Sequence, residues 1–140
     1  MRYVGSLFLI PAVLIMATVL CGCAVFGFVY QKRLIGRYEL VAVDVLEQMD
    51  LCETLPDGDA VGVIPPTIFS VGWDRHFIIA KQHPHDTDGH IDRSITNFYI
   101  LRASDGKLLG PLDRSAFSRD RLLLGVPGSL HFGLNFQELE

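Results

Sequence analysis

The sequence is short of cysteine, and the little it has is badly placed for cross-linking. Of three cysteines in 140 residues, Cys21 and Cys23 lie inside an apolar N-terminal run and only Cys52 lies beyond it. A single thiol makes no internal disulfide, so a disulfide framework and a cysteine-based zinc site are excluded for the remainder of the chain. Cys52 reads instead as a small, half-buried residue. A block of charge of one sign is missing too. All 16 acidic residues and all but one of the 12 basic ones follow Tyr30, with the two signs interspersed. That acidic balance, without a basic stripe, argues against a nucleic-acid partner. Catalytic frames are also lacking. Ser104, Ser115 and Ser118 have no Gly-x-Ser-x-Gly setting, and Cys52 has no histidine beside it in sequence. Gly58, Gly62 and Gly72 do not space as a phosphate-binding loop. No catalytic residue and no cofactor is therefore assigned. Internal repeats are absent as well.

What is present begins with a long apolar segment. From Val4 to Tyr30 there are 27 positions without a charged residue, more than the roughly 20 a helix needs to cross a bilayer. Arg2 precedes the run, Lys32, Arg33 and Arg37 follow it, and Tyr3 and Tyr30 flank it, where amphipathic rings favour the membrane interface. Residues 1–30 are thus expected to be a membrane anchor or a lipoprotein signal segment, with membrane lipid as the partner. Two forms compete. In one, the helix stays intact, and the basic residues after it draw the domain to the cytoplasm. In the other, Leu20-Cys21-Gly22-Cys23 acts as a lipobox. Gly22 is then the small residue before the cleavage site, and lipid on Cys23 replaces the helix as anchor. The second form is favoured and places the domain on the extracytoplasmic face of a bacterial membrane. The apolar stretch Ala24–Tyr30 and the unusual Cys21 count against it.

Residues 31–37 read as a short basic connector, and residues 38–140 as one small β-rich domain. Their length supplies one core and not two. Tyr38–Val45 is rich in β-branched residues and predicts a strand, with a helix through Leu46 and Met49 as the alternative. Pro56-Asp57-Gly58-Asp59 marks a turn. Ala60–Ile64 predicts a short strand ended by Pro65-Pro66. Thr67–Trp73 predicts another, and Phe77–Ala80 a central strand running on to His83. Ile95–Arg102 pairs with that strand across a polar loop at 84–92, as a long-looped antiparallel hairpin. Gly110-Pro111-Leu112-Asp113 is expected to open a helix capped by Asp113, with Leu112 and Phe117 as a hydrophobic staple. Ala116, Phe117, Leu123 and Leu124 would share its apolar face, Gly125 would end it, and Pro127 would prevent continuation. Leu130, Phe132, Leu134 and Phe136 alternate as a last strand or an apolar tail. The fold class expected is α+β, an antiparallel β-meander with one packed helix.

Val71-Gly72-Trp73-Asp74 followed by Phe77–Gln82 resembles a segment of an uncharacterised family of small bacterial lipoproteins, a domain of unknown function. The resemblance extends to Tyr38–Asp44, Thr96–Ile100 and Gly110-Pro111-Leu112 with Phe117 and Arg121. It spans most of residues 36–125. The resemblance implies lipid modification at Cys23. It implies no activity.

One polar constellation stands out. His83-Pro84-His85-Asp86-Thr87-Asp88-Gly89-His90-Ile91-Asp92 packs three imidazoles and three carboxylates into ten residues. His83, His85, Asp88 and His90 are the candidate ligands of a divalent metal such as zinc. The spacing fits neither a His-x-His-x-Asp-His hydrolase motif nor an EF-hand loop, which needs carboxylates where Pro84 and Ile95 stand. A solvated hairpin loop is the plainer reading. Trp73, Phe98 and Tyr99 are either groove-lining aromatics or core. The arginines Arg114, Arg119 and Arg121 either touch anionic headgroups or form a solvated helix face. The function expected is a tethered, non-enzymatic envelope module that binds a partner or plays a structural part. The alternative is a metal-binding protein or metal-dependent hydrolase using the 83–92 loop.

Overall fold

The structure, a computed structural model, describes residues 27–140. Most of the expected anchor, including Cys23, lies outside those residues. No helix among the described residues is long and apolar enough to cross a membrane.

The layers follow from one strand with two apolar faces. In β6 (Phe77–Gln82), Ile78 and Ala80 enter a cluster with Ile68, Val71, Tyr99 and Leu101. Phe77 and Ile79, pointing the other way, enter a second cluster with Phe98, Ile100 and Phe117. Successive side chains on a strand face opposite sides, so a run of consecutive apolar residues demands cover on both. A second sheet supplies one cover and a helix supplies the other.

The first sheet is an antiparallel meander of β1 (Tyr30–Ile35), β2 (Tyr38–Ala42), β3 (Asp50–Thr54) and β4 (Ala60–Ile64), in that order. The second contains β5 (Ile68–Trp73), β6, β7 (Asn97–Arg102), β8 (Lys107–Leu112) and the two-residue β9 (Leu134–Asn135). Its order is β8-β7-β6-β5-β9. Tyr38, Leu40, Ala42, Leu51 and Ile64 from the first sheet meet the inner face of the second. The helix α1 (Arg114–Leu123) packs on the outer face through Phe117. The class is α+β as expected, but the single meander is two sheets. Pro65-Pro66 ends the ladder of β4, and the chain crosses to the other layer. The crossing is fastened by paired backbone bonds between Thr67 and His83, at 3.1 and 3.0 Å, and by Ile68 N donating to Met49 O at 2.8 Å.

Residues 31–37, expected as a connector, instead form β1 and its turn. Tyr30, Leu34 and Ile35 pack against the inter-sheet core, with the Tyr30 ring edge-on to Phe136 at 5.1 Å. Gln31, Lys32 and Arg33 stay exposed, so polar composition disguised a strand anchored by its apolar ends.

Gly110 and Pro111 belong to β8 and do not open the helix. The cap itself is where it was expected: Ala116 N donates to Asp113 Oδ1 at 2.7 Å, and Leu112 and Phe117 share the helix-side cluster. At the other end Gly125 takes φ +70°. Gly125 N donates to Leu122 O and Val126 N to Arg121 O, the paired bonds of a Schellman termination. Leu123 does not join the apolar face and is 79% exposed. The helix stops there, and Val126 and Leu130 from the following loop fill the place it would have taken.

The alternating tail also divides. Leu130 and Phe132 join the helix-side cluster, while Leu134 and Phe136 join the inter-sheet core. Only Leu134–Asn135 pairs with β5, aided by Ser70 Oγ donating to Asn135 Oδ1 at 2.6 Å. The tail crosses β5 so closely that a Cβ added to Gly72 would sit 2.0 Å from the His131 carbonyl oxygen. Both atoms of that clash are held by backbone, so neither yields cheaply.

Gly72→Ala is therefore expected to destabilise the chain by at least about 2 kcal/mol, read from urea denaturation. An unchanged midpoint would contradict the close crossing. Asp113→Ala is expected to cost about 1 kcal/mol through the lost cap, while Asp113→Asn stays close to the parent protein.

Candidate functional site

The 83–92 loop closes as the tip of the β6–β7 hairpin. His85 and Ile91 form an antiparallel bridge. Asp86 N donates to His90 O, and Asp92 N to Pro84 O, both at 2.8 Å. Asp86 Oδ1 accepts from the amides of Asp88 and His90 at 2.9 and 2.8 Å. Gly89, at φ +84°, allows the tight reversal. This folding draws the ligand atoms of Asp86, Asp88 and His90 within 4.8 Å of one another, all on exposed residues.

Of the four expected ligands, only Asp88 and His90 come together, and Asp86 joins them. His85 is exposed and outside the cluster. His83 leaves the loop altogether. It is 3% exposed, stacked on Phe69 with ring centroids 4.2 Å apart, and its Nδ1 bonds Ile95 O at 2.7 Å. The carbonyl can only accept, so Nδ1 carries the hydrogen. Pairing with Thr67 carries the ladder as far as His83, and that pairing turns its side chain onto the sheet. Asp86 Oδ1 is already committed to two amides, as in an Asx turn. Three exposed ligand groups fall short of the four that structural zinc takes. The nearby Asp92 carboxyl is held below its usual range, first by the Ser94 hydroxyl and then by the Ser94 amide.

A second concavity lies on the outer face of the first sheet. About 520 Å³ in volume, it is lined by Glu39, Val41, Asp50 and Cys52, with the exposed Phe28 and Val43. Gln31 Nε2 and Thr54 Oγ1 each donate to one Glu39 oxygen at 3.0 Å. Cys52 Sγ donates to Asp50 Oδ1 at 3.3 Å. Burial, and then the Asp50 charge, push the Cys52 thiol up to about 12. Burial likewise raises Asp50. A thiol held so high is protonated at neutral pH and is no nucleophile. Sequence reasoning missed the groove because its residues come from three strands. The available signal was Glu39, a carboxylate set among apolar neighbours on a strand with every position buried.

The other candidates resolve into structure. Phe98 and Tyr99 are core residues on opposite faces of β7. Trp73 is half-buried beneath Lys32, whose Nζ lies 5.7 Å from the ring. Arg119 pairs with Asp120 at 2.8 Å. Arg121 donates to the carbonyls of Pro127 and Leu130 and so ties the helix to the loop after it.

No curated protein and no solved structure matches the chain. Residues 36–138 do match the model of a family described as protein of unknown function (DUF3997). The match begins at the turn before β2 and takes in β2–β9, the helix and most of the tail, leaving β1 and everything before it outside. The matched span is well over half of the 140 residues, and the chain belongs to the DUF3997 family.

Proposed function

We propose that this chain is a non-enzymatic binding module tethered to the extracytoplasmic face of a bacterial membrane by its N-terminal segment. The observation that carries the reading is the junction between leader and domain. The uncharged run Val4–Tyr30 ends on the first residue of β1, and Val29 N already donates to Val43 O at 3.2 Å. No polar linker separates the apolar leader from the fold. From Cys23 to Tyr30 a fully extended chain reaches at most about 25 Å, so lipid on Cys23 would hold the domain against the bilayer. Phe28 and Val29, each about half exposed, then sit at the level where apolar side chains are favoured. The groove beside Phe28 offers apolar wall and hydrogen-bonded carboxylates to a partner.

Fractionation of cells producing the full chain is expected to leave it in the membrane pellet until detergent is added. Intact-mass analysis of that material is expected to find a species beginning at diacylated Cys23, and Cys23→Ala to abolish it. A full-length mass with Met1 retained would replace the lipid anchor by an intact helix. Full recovery in the aqueous fraction would end the tethered reading.

A second reading, divalent-metal binding, is favoured by the convergence of Asp86, Asp88 and His90. Titrating the detergent-solubilised full chain with zinc separates the two. The binding-module reading expects no stoichiometric uptake. One zinc per chain, lost in Asp86→Asn/His90→Ala, would establish the second.

A further inference from the structure

The helix-side face of the second sheet holds a polar pocket that neither reading above uses. About 240 Å³ in volume, it is lined by Lys81, His83, Arg93, Thr96, Arg114 and Glu140 over the Phe69 ring. Lys81 lies near the end of β6, Thr96 just before β7, and Arg114 is the first residue of α1. Three fixed cations thus meet a single acidic side chain on the wall. None of the three is within ion-pair distance of a carboxylate side chain among the described residues. Lys81 and Arg114 are instead held by aromatic faces. Lys81 Nζ lies 4.7 Å from the Phe132 ring centroid, and the Arg114 guanidinium 5.6 Å from that of Phe98. Arg93 is steadied by donating to the Glu138 carbonyl at 3.2 Å and to a main-chain oxygen of Glu140, the last residue of the sequence, at 3.0 Å, which leaves Lys81 and Arg114 as the two cations without an acidic partner. Cations placed on rings keep their charge uncompensated and ready for an anion.

The second observation is His83 itself. Its Nδ1 hydrogen is spent on Ile95 O, and its Nε2 is buried without a hydrogen-bond partner among the described residues. In the neutral ring that nitrogen is an acceptor, and a buried acceptor left unmade is costly. The wall therefore supplies three cations, the Thr96 hydroxyl and one neutral acceptor, beside the acidic Glu140. A hydrogen-bearing oxyanion answers all of these at once. Its charged oxygens meet Lys81, Arg93 and Arg114, and its remaining O–H donates to His83 Nε2.

We infer that this pocket binds a phosphate-class oxyanion, with Lys81, Arg93 and Arg114 taking its charge and His83 its hydrogen. The inference names a ligand class for the proposed binding module and rests on that reading of the domain as a binder. It does not depend on the tether. A free phosphate and a phosphomonoester lipid headgroup present the same chemistry.

The test uses the detergent-solubilised full chain at pH 7, where inorganic phosphate retains a hydrogen, the neutral imidazole offers an acceptor and sulfate has no hydrogen. Inorganic phosphate and short-chain phosphatidic acid are titrated separately, with binding read by calorimetry and by the His83 ring-nitrogen resonances. The expected result is saturable binding of at least one of them that shifts the His83 Nε2 signal. Lys81→Gln/Arg114→Gln weakens it at least tenfold while the thermal midpoint stays near that of the parent protein. Saturation by phosphate identifies a soluble ligand. Saturation by phosphatidic acid alone identifies a headgroup. Absence of saturation with both, binding untouched by the double substitution, or sulfate binding as tightly as phosphate would each overturn the assignment. A soluble chain that still binds phosphate would remove the tether and leave this pocket standing.

Discussion

The architecture depends on burying both faces of one strand. Ile78 and Ile79 are adjacent in sequence, point in opposite directions and are each fully buried. Burial of such a side chain contributes roughly 1.5–3 kcal/mol, but only where a layer exists to receive it. The first sheet receives Ile78, and the helix with its following loop receives Ile79. A two-layer protein would leave one of them in water. The same parity governs β7, where Tyr99 and Leu101 face inward and Phe98 and Ile100 face the helix. The Schellman turn and the docking of Leu130 both serve to complete the second cover.

Much of the fold was legible in the sequence because its signals are local. The strands at Tyr38, Ala60, Thr67, Phe77 and Ile95 begin, and the turn at Asp57-Gly58 and the Asp113 cap lie, within a residue or two of the places their patterns predicted. What was not legible is long-range. Polar Gln31-Lys32-Arg33 looks like a linker until the core that holds Tyr30 and Ile35 is known. The alternation from Leu130 to Phe136 looks like one strand, yet the chain threads between two clusters. Gly110-Pro111 looks like a helix entrance, but Gly110 lies where a Cβ would strike the buried Tyr99 ring. Contact with another segment decided each of these, and no window of sequence contains it.

The candidate site was legible in composition and misleading in geometry. Ten residues rich in histidine and aspartate suggested one cluster. The end of the β-ladder divides them, holding His83 on the sheet and leaving Asp86, Asp88 and His90 outside. The buried histidine then keeps different company, among cations that come from separate stretches of the sequence. Lys81, Arg93 and Arg114 span more than thirty positions of chain and meet only in the folded protein. The groove on the first sheet has the same origin, since Glu39, Asp50 and Cys52 are brought together by strand pairing.

The charged edge of β1 has a consequence of its own. A free strand edge offers unpaired amides and carbonyls to any neighbouring chain. Here Lys32 and Arg33 stand exposed on that rim, so two copies meeting edge to edge would bring like charges together. Molecules crowded on one surface are therefore steered away from zipping into extended ribbons, and each copy keeps its own outline however densely it is packed.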